Sequence, residues 1–245
     1  MSGHSKWASI KHKKGALDAK RGKIFSKIAK EIEVAAKTGG DPGMNPRLRL
    51  ILQKARENNM PNDNIDRAIK KGTGELGGVV YEDMVYEGYG PGGVAMLIQT
   101  LSDNKNRTGG EVRSTLDKKG GNLASPGAVG YLFAKRGFIT VDAASVAEDK
   151  LMDIALEAGA LDFAAEDGLF AITTEPQDYE KILNAVRGAG ITTSSAEITM
   201  LPSTTVKLAG AEAKRILDLV EALEDLEDVQ NVYANFDISE EDLNA

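Results

Sequence analysis

GFITVDAASVAEDKLMDIALEAGALDFAAEDGLFAITTEPQDYEKILNAVRGAGITTSSAEITML, residues 137–201, contains one complete cycle of six elements. Gly137–Val141 reads as a strand, and Ser145–Ala158 repeats Leu151, Ile154 and Ala155 at helical spacing. Asp162–Ala165 and Leu169–Thr174 form a hairpin across Asp167-Gly168. Pro176–Arg187 is a second helix and Ala196–Leu201 a closing strand. Strand-helix-strand-strand-helix-strand is the ferredoxin-like order, which closes as one sheet with two helices behind it.

Outward from this unit the elements are left incomplete. Val85–Tyr89 and Val94–Ser102 predict strands joined at Gly90-Pro91-Gly92-Gly93; a helix from about Arg107 to Lys119 and a short strand at Ala128–Phe133 follow. That segment has one covering helix, and the tail supplies a second, with Ala211–Leu226 as helix and Val229–Phe236 as strand. The expectation is a discontinuous α+β domain, 80–134 with 204–245, carrying the ferredoxin-like domain 135–203 as an insertion. Before it, residues 17–37 place Leu17, Ile24, Phe25, Ile28, Ile32, Ala35 and Ala36 on one helical face. Asn45 and Pro46 open a second helix to about Asn58; Pro61 opens a third, with Gly72 as the residue just past its end. These make a basic helical domain, 1–75, linked on by Thr73–Gly78. The fold class is therefore α+β multidomain: a three-helix domain plus two α+β domains, one inserted into the other.

Charge is distributed as unevenly as structure. Residues 1–71 hold 17 Lys/Arg against 7 Asp/Glu, whereas 141–245 hold 6 against 23. A basic head on an acidic body points to a polyanionic partner met by the N-terminal end. The chain has no cysteine and only two histidines, His4 and His12, both in the basic stretch. Thiolate metal sites, iron–sulfur clusters and thiol catalysis are excluded, and a Ser-His-Asp triad has almost no material to draw on. Nothing calls for a cofactor or a metal. No window is apolar enough to span a bilayer, and the N-terminus lacks the apolar core of a secretory signal.

The candidate nucleic-acid-binding residues are His4, Lys6, Lys11, His12, Lys13, Lys14, Lys20, Arg21, Lys23 and Lys27. Lysines neutralise phosphates, while histidine or Trp7 can stack on an unpaired base. The plainer alternative is a solvated lysine face with Trp7 in the helical core, which a lone Trp favours. A secondary candidate gathers Tyr89 with Lys105, Arg107 and Arg113, the last three around a helix start able to hold an anion. Against it, Asp103 or Asn106 would simply cap that helix. Gly88-Tyr89-Gly90-Pro91-Gly92-Gly93 matches G-x-G-x-x-G, but the strand pattern Val94–Ile98 follows it where a dinucleotide fingerprint needs a helix. The acidic runs Glu221–Asp228 and Ser239–Asp242 read as a solvated face and a frayed tail.

GHSKWASIKHKKGALDAKRGKIFSKI at 3–28, NMPNDNIDRAIKKGTG at 59–74 and YEGYGPGGVAMLIQTLSDNKNRTGGEVRSTLDKKGGNL at 86–123 resemble the YebC/PmpR family, and the likeness spans essentially the whole chain. The resemblance implies a three-domain cytoplasmic protein with no catalytic activity. Bacterial members are described as DNA-binding transcriptional regulators; mitochondrial relatives activate translation, and some bacterial members associate with ribosomes and relieve stalled elongation. It puts the basic residues of the family on Lys6, Lys11, His12, Lys13, Lys14, Lys20, Arg21 and Lys23.

Three functions follow as expectations: a duplex-DNA regulator, a ribosome-associated factor binding rRNA, and an enzyme using the cleft between the α+β domains. The enzyme ranks last, for want of a nucleophile–base pair. The long basic helix offers lysines but few Asn, Gln or Arg to read base edges, which suits phosphate recognition better than sequence readout.

Overall fold

The computed structural model describes residues 18–77, 79–166 and 168–239. Three helices come first: α1 (Asp18–Ala36), α2 (Pro46–Glu57) and α3 (Asn62–Gly72). They close on Ile28, Ile32, Leu48, Leu52, Ala55, Met60 and Ile65. Asn45 joins the first two. Its Oδ1 accepts from the Leu48 amide at 3.1 Å, capping α2, while its Nδ2 donates to the carbonyls of Ala35 and Gly39 at 2.8 and 2.9 Å.

Gly72 corrects the sequence reading. It is the last residue of α3, not a residue beyond it, and Thr73 is the C-cap. Its lack of a side chain serves packing: a Cβ there would collide with the Glu33 carbonyl and stand 2.6 Å from the Ala36 Cβ. Glycine lets α3 approach α1 closely.

The first sheet contains β1 (Glu82–Tyr89), β2 (Ala95–Ser102), β3 (Asn122–Leu123) and β9 (Val229–Ala234), in the order β3-β1-β2-β9. β1 and β2 pair antiparallel from Glu82↔Ser102 to Tyr89↔Ala95; β9, from the far end of the chain, runs antiparallel beside β2. Helices α4 (Lys105–Lys118) and α7 (Gly210–Glu224) cover one face. Met96 and Ile98 of β2 meet Val112, Leu116, Ile216 and Leu219 there. The alternate residues Ala95 and Leu97 face Val129, Phe133 and Tyr233, so β2 is buried on both sides.

The second sheet is built from β4 (Phe133–Asp142), β5 (Asp162–Glu166), β6 (Leu169–Thr174) and β7 (Ser195–Pro202) in the order β5-β6-β4-β7, all neighbours antiparallel. Helices α5 (Glu148–Ala158) and α6 (Tyr179–Gly188) pack on it through Leu151, Ala155, Ile182, Leu183 and Val186. This is the ferredoxin-like arrangement, set between β3 and the short β8 (Val206–Leu208), which pairs in parallel with β10 (Phe236–Ile238).

One segment departs from expectation. Residues 128–132 make no strand, because the Glu87 carboxylate accepts from the amides of Gly127, Val129 and Gly130 at 2.7, 2.6 and 2.8 Å and winds the chain around itself. Burial pushes that carboxyl up, yet the three amides outweigh it and hold its pKa below the ordinary value. The glycine-rich turn at 90–93 is a single 3-10 turn with Gly92 left-handed at φ 74°, leading straight into β2.

Gly72→Ala is expected to destabilise the protein by roughly 1–3 kcal/mol through overpacking. Gly110→Ala, in open space on α4, should stabilise it by about 0.5–1 kcal/mol. Urea unfolding followed by far-UV circular dichroism measures both, and equal effects would refute the close-approach account of Gly72.

Candidate nucleic-acid interface

His4, Lys6, Trp7, Lys11, His12, Lys13 and Lys14 lie outside the described residues, as does the acidic tail from 240. Lys20 and Arg21 fall on the first turn of α1. Lys23 and Lys27 follow on the same helix, with Lys30 one turn further.

These three lysines do not project into solvent as a free stripe. Each meets the turn between α7 and β9. Lys23 Nζ donates to Asp225 Oδ1 at 3.0 Å and Lys27 Nζ to the Glu224 carbonyl at 2.6 Å. That carbonyl lies in the last turn of α7, where the helix has no further amides to offer and its dipole is negative. Burial lowers the Lys27 pKa to about 8, against the pull of Glu224 and Asp225. Lys30, only 10% exposed, donates to Asp228 Oδ1 at 3.1 Å and Glu227 Oε1 at 3.3 Å. Its ammonium also stands 5.6 Å from the Tyr81 ring centre. Lys30 does not face solvent: it is buried beside a carboxylate inside the molecule that needs it.

That carboxylate is Asp228, whose side chain is 3% exposed. Around Oδ2 stand Ser102 Oγ at 2.9 Å, Thr108 Oγ1 at 2.8 Å and Arg107 Nη2 at 2.8 Å. Burial works to raise the Asp228 pKa, but the hydrogen bonds from Arg107, Thr108, Lys30 and Ser102 prevail and hold it at about 2. The Arg107–Asp228 bond, with one from Arg107 to Asp103 at 2.8 Å, raises the arginine pKa in turn.

The secondary candidate is not brought together. Arg107 is held by two carboxylates rather than facing an incoming anion. Lys105 and Arg113 are exposed elsewhere on α4, and the half-buried Tyr89 donates its hydroxyl to the Ala128 carbonyl at 3.4 Å. The cap of α4 is neither Asp103 nor Asn106: Asn104 Oδ1 accepts from the Arg107 amide at 3.1 Å. Asp228 escaped sequence reasoning altogether. It sits in an acidic run, and its only signal lies on other elements, in Lys30, Arg107 and Thr108.

A cleft of about 340 Å³ opens between α1 and α3, floored by Phe25, Ala29, Met60 and Ala68 and rimmed by Arg67 and Lys71. Among the described residues no group of His, Cys, Asp or Glu is placed to hold a metal ion, and no helix is long and apolar enough to cross a membrane.

Comparison with known proteins covers the chain from end to end. Residues 5–75 match the profile described as the TACO1/YebC protein N-terminal domain, and residues 81–236 that of the TACO1/YebC second and third domain. A protein of Natranaerobius thermophilus named a probable transcriptional regulatory protein is 56% identical over 244 residues, 98% of each chain. The probable transcriptional regulatory protein GSU1074 of Geobacter sulfurreducens is 56% identical across 99% of this chain and 98% of its own. The crystal structure of a conserved hypothetical protein, Aq1575 from Aquifex aeolicus, superposes with a TM-score of 0.83 at 45% identity, covering 96% of this chain and 98% of that one.

Asp228 gives the molecule an acid-sensitive joint. Its carboxyl is depressed in the fold from an ordinary 3.8 to about 2, so its stabilisation is complete above about pH 4 and is lost as pH falls through about 2. Asp228→Asn is expected to cost roughly 2–3 kcal/mol at neutral pH, with the gap to the wild type closing between about pH 4 and pH 2. Urea unfolding across that range measures it. A gap independent of pH would show that the charge is not what matters.

Proposed function

This chain belongs to the TACO1/YebC family, and from that footing we propose that it is a non-catalytic, cytoplasmic nucleic-acid-binding regulator of gene expression. The observation that carries the proposal is the surplus of cations in the first 71 residues, 17 against 7, concentrated from Lys6 to Lys30. The residues that grip phosphate are Lys6, Lys11, Lys13, Lys14, Lys20, Arg21, Lys23 and Lys27, with His4 and His12 beside them. The relatives named as probable transcriptional regulatory proteins support DNA as the polymer.

A second reading, rRNA on the ribosome, is favoured by the chemistry of α1. Its sequence, DAKRGKIFSKIAKEIEVAA, has four lysines, one arginine, and neither Asn nor Gln. Such a helix offers a single arginine among the bidentate groups that read base edges in a major groove, whereas lysines on a flexible stem follow a phosphate chain of any shape.

Substituting Lys11, Lys13 and Lys14 by Glu tests both readings together. With six phosphates neutralised, log Kd of the wild type should change with log salt with a slope of magnitude about 5, and the triple variant should lose affinity and flatten the slope. Co-sedimentation with ribosomes that disappears in the variant selects RNA; a footprint on duplex DNA at moderate salt selects the transcriptional role. Unchanged binding in the variant removes the basic segment from the mechanism.

A further inference from the structure

The face of α1 best suited to phosphates already holds a row of oxygens. The turn after α7 places the Asp225 carboxylate, the Glu224 carbonyl and the carboxylates of Glu227 and Asp228 against Lys23, Lys27 and Lys30, at 2.6 to 3.3 Å. Successive oxygen ligands for successive lysines are what a phosphate chain would supply. The two outer acids are solvent-facing, with Asp225 at 54% and Glu227 at 81% side-chain exposure, so they are exchangeable partners; Asp228 is the buried anchor.

The contacts that seat the helical domain elsewhere are of the same kind. Arg47 pairs with Asp83 at 3.5 Å, Arg49 with Glu180 at 3.8 Å and Glu57 with Arg187 at 4.0 Å, all partly exposed. Lys37 donates to the Tyr81 carbonyl at 3.4 Å. Leu50 is the apolar residue that the helical domain sets against the ferredoxin-like core. Exposed ion pairs are individually weak and are screened by salt or by a competing polyion.

We propose that the segment Glu224–Asp228 is an internal competitor that occupies the polyanion-binding face of α1, so that nucleic acid must displace it to reach Lys23 and Lys27. This rests on the nucleic-acid reading above. Free protein is the covered form; bound nucleic acid takes over the lysines and releases the turn. Covering a site in this way lowers apparent affinity for every weak polyanion, while a ligand that also engages the basic segment before α1 can open it.

Two variants, read by anisotropy of a labelled RNA hairpin and a labelled DNA duplex at low salt, test the competitor. Asp225→Ala with Glu227→Ala uncovers the face, and Glu148→Ala with Asp149→Ala removes the same charge from the exposed start of α5 as a control. The first is expected to bind about fivefold more tightly than the second. The chain has no cysteine, so Lys23→Cys with Asp225→Cys can be bridged selectively by a bis-maleimide. The bridged protein should bind at least about fivefold more weakly than the same variant capped with N-ethylmaleimide, in which charge is unchanged. Binding by the wild type, with the uncovering variant equal to its control or the bridged form equal to the capped form, overturns the competitor alone. If the wild type and every variant ignore both polymers, the nucleic-acid reading falls and the competitor with it.

Discussion

A carboxylate shut away from water must be compensated by its neighbours, and Asp228 draws that compensation from three directions. Lys30 comes from α1, Ser102 from the end of β2, and Arg107 with Thr108 from the start of α4. Removing any one leaves the others facing a charge that the interior tolerates poorly. Asp228 thereby supplies the buried anchor between the helical domain and the first sheet, with the more exposed pairs of Lys23 and Arg47 around it. The two α+β domains, in contrast, meet largely through apolar packing, with Phe133 and Met200 of the ferredoxin-like sheet against Ala95, Leu97, Val129 and Tyr233. The first junction is mainly ionic and the second mainly apolar.

This contrast explains why a protein with a strong charge asymmetry need not repel or collapse on itself at random. The surplus of acid in the C-terminal half is partly matched inside the molecule, at α1.

Much of this fold is legible in the sequence because its determinants are local. Asn45-Pro46 marks a helix start wherever it occurs, and the alternation around residues 162–174 fixes a hairpin with no outside help. What could not be read depends on partners far away in the chain. Gly72 looks like a helix stop until α1 is laid beside it; residues 128–132 look like a strand until Glu87 claims their amides. Lys30 and Asp228 belong to runs of like charge, and a run does not reveal which member turns inward. Of the candidate interface, the charge of the lysine stripe was legible. Its intramolecular partners were not, since nothing in α1 points to residues two hundred positions away.

The pairing of Phe133 with Pro202 brings the two ends of the ferredoxin-like unit side by side. Between β3 and β8 the chain thus leaves and returns at one place, and the outer domain accommodates the detour as it would a hairpin loop. During synthesis, β2 nevertheless waits for Val229–Ala234 to cover its edge, long after its other neighbour has been made. A nascent chain that has not yet supplied Val229–Ala234 leaves that apolar strand with a bare edge, open to pairing with another chain.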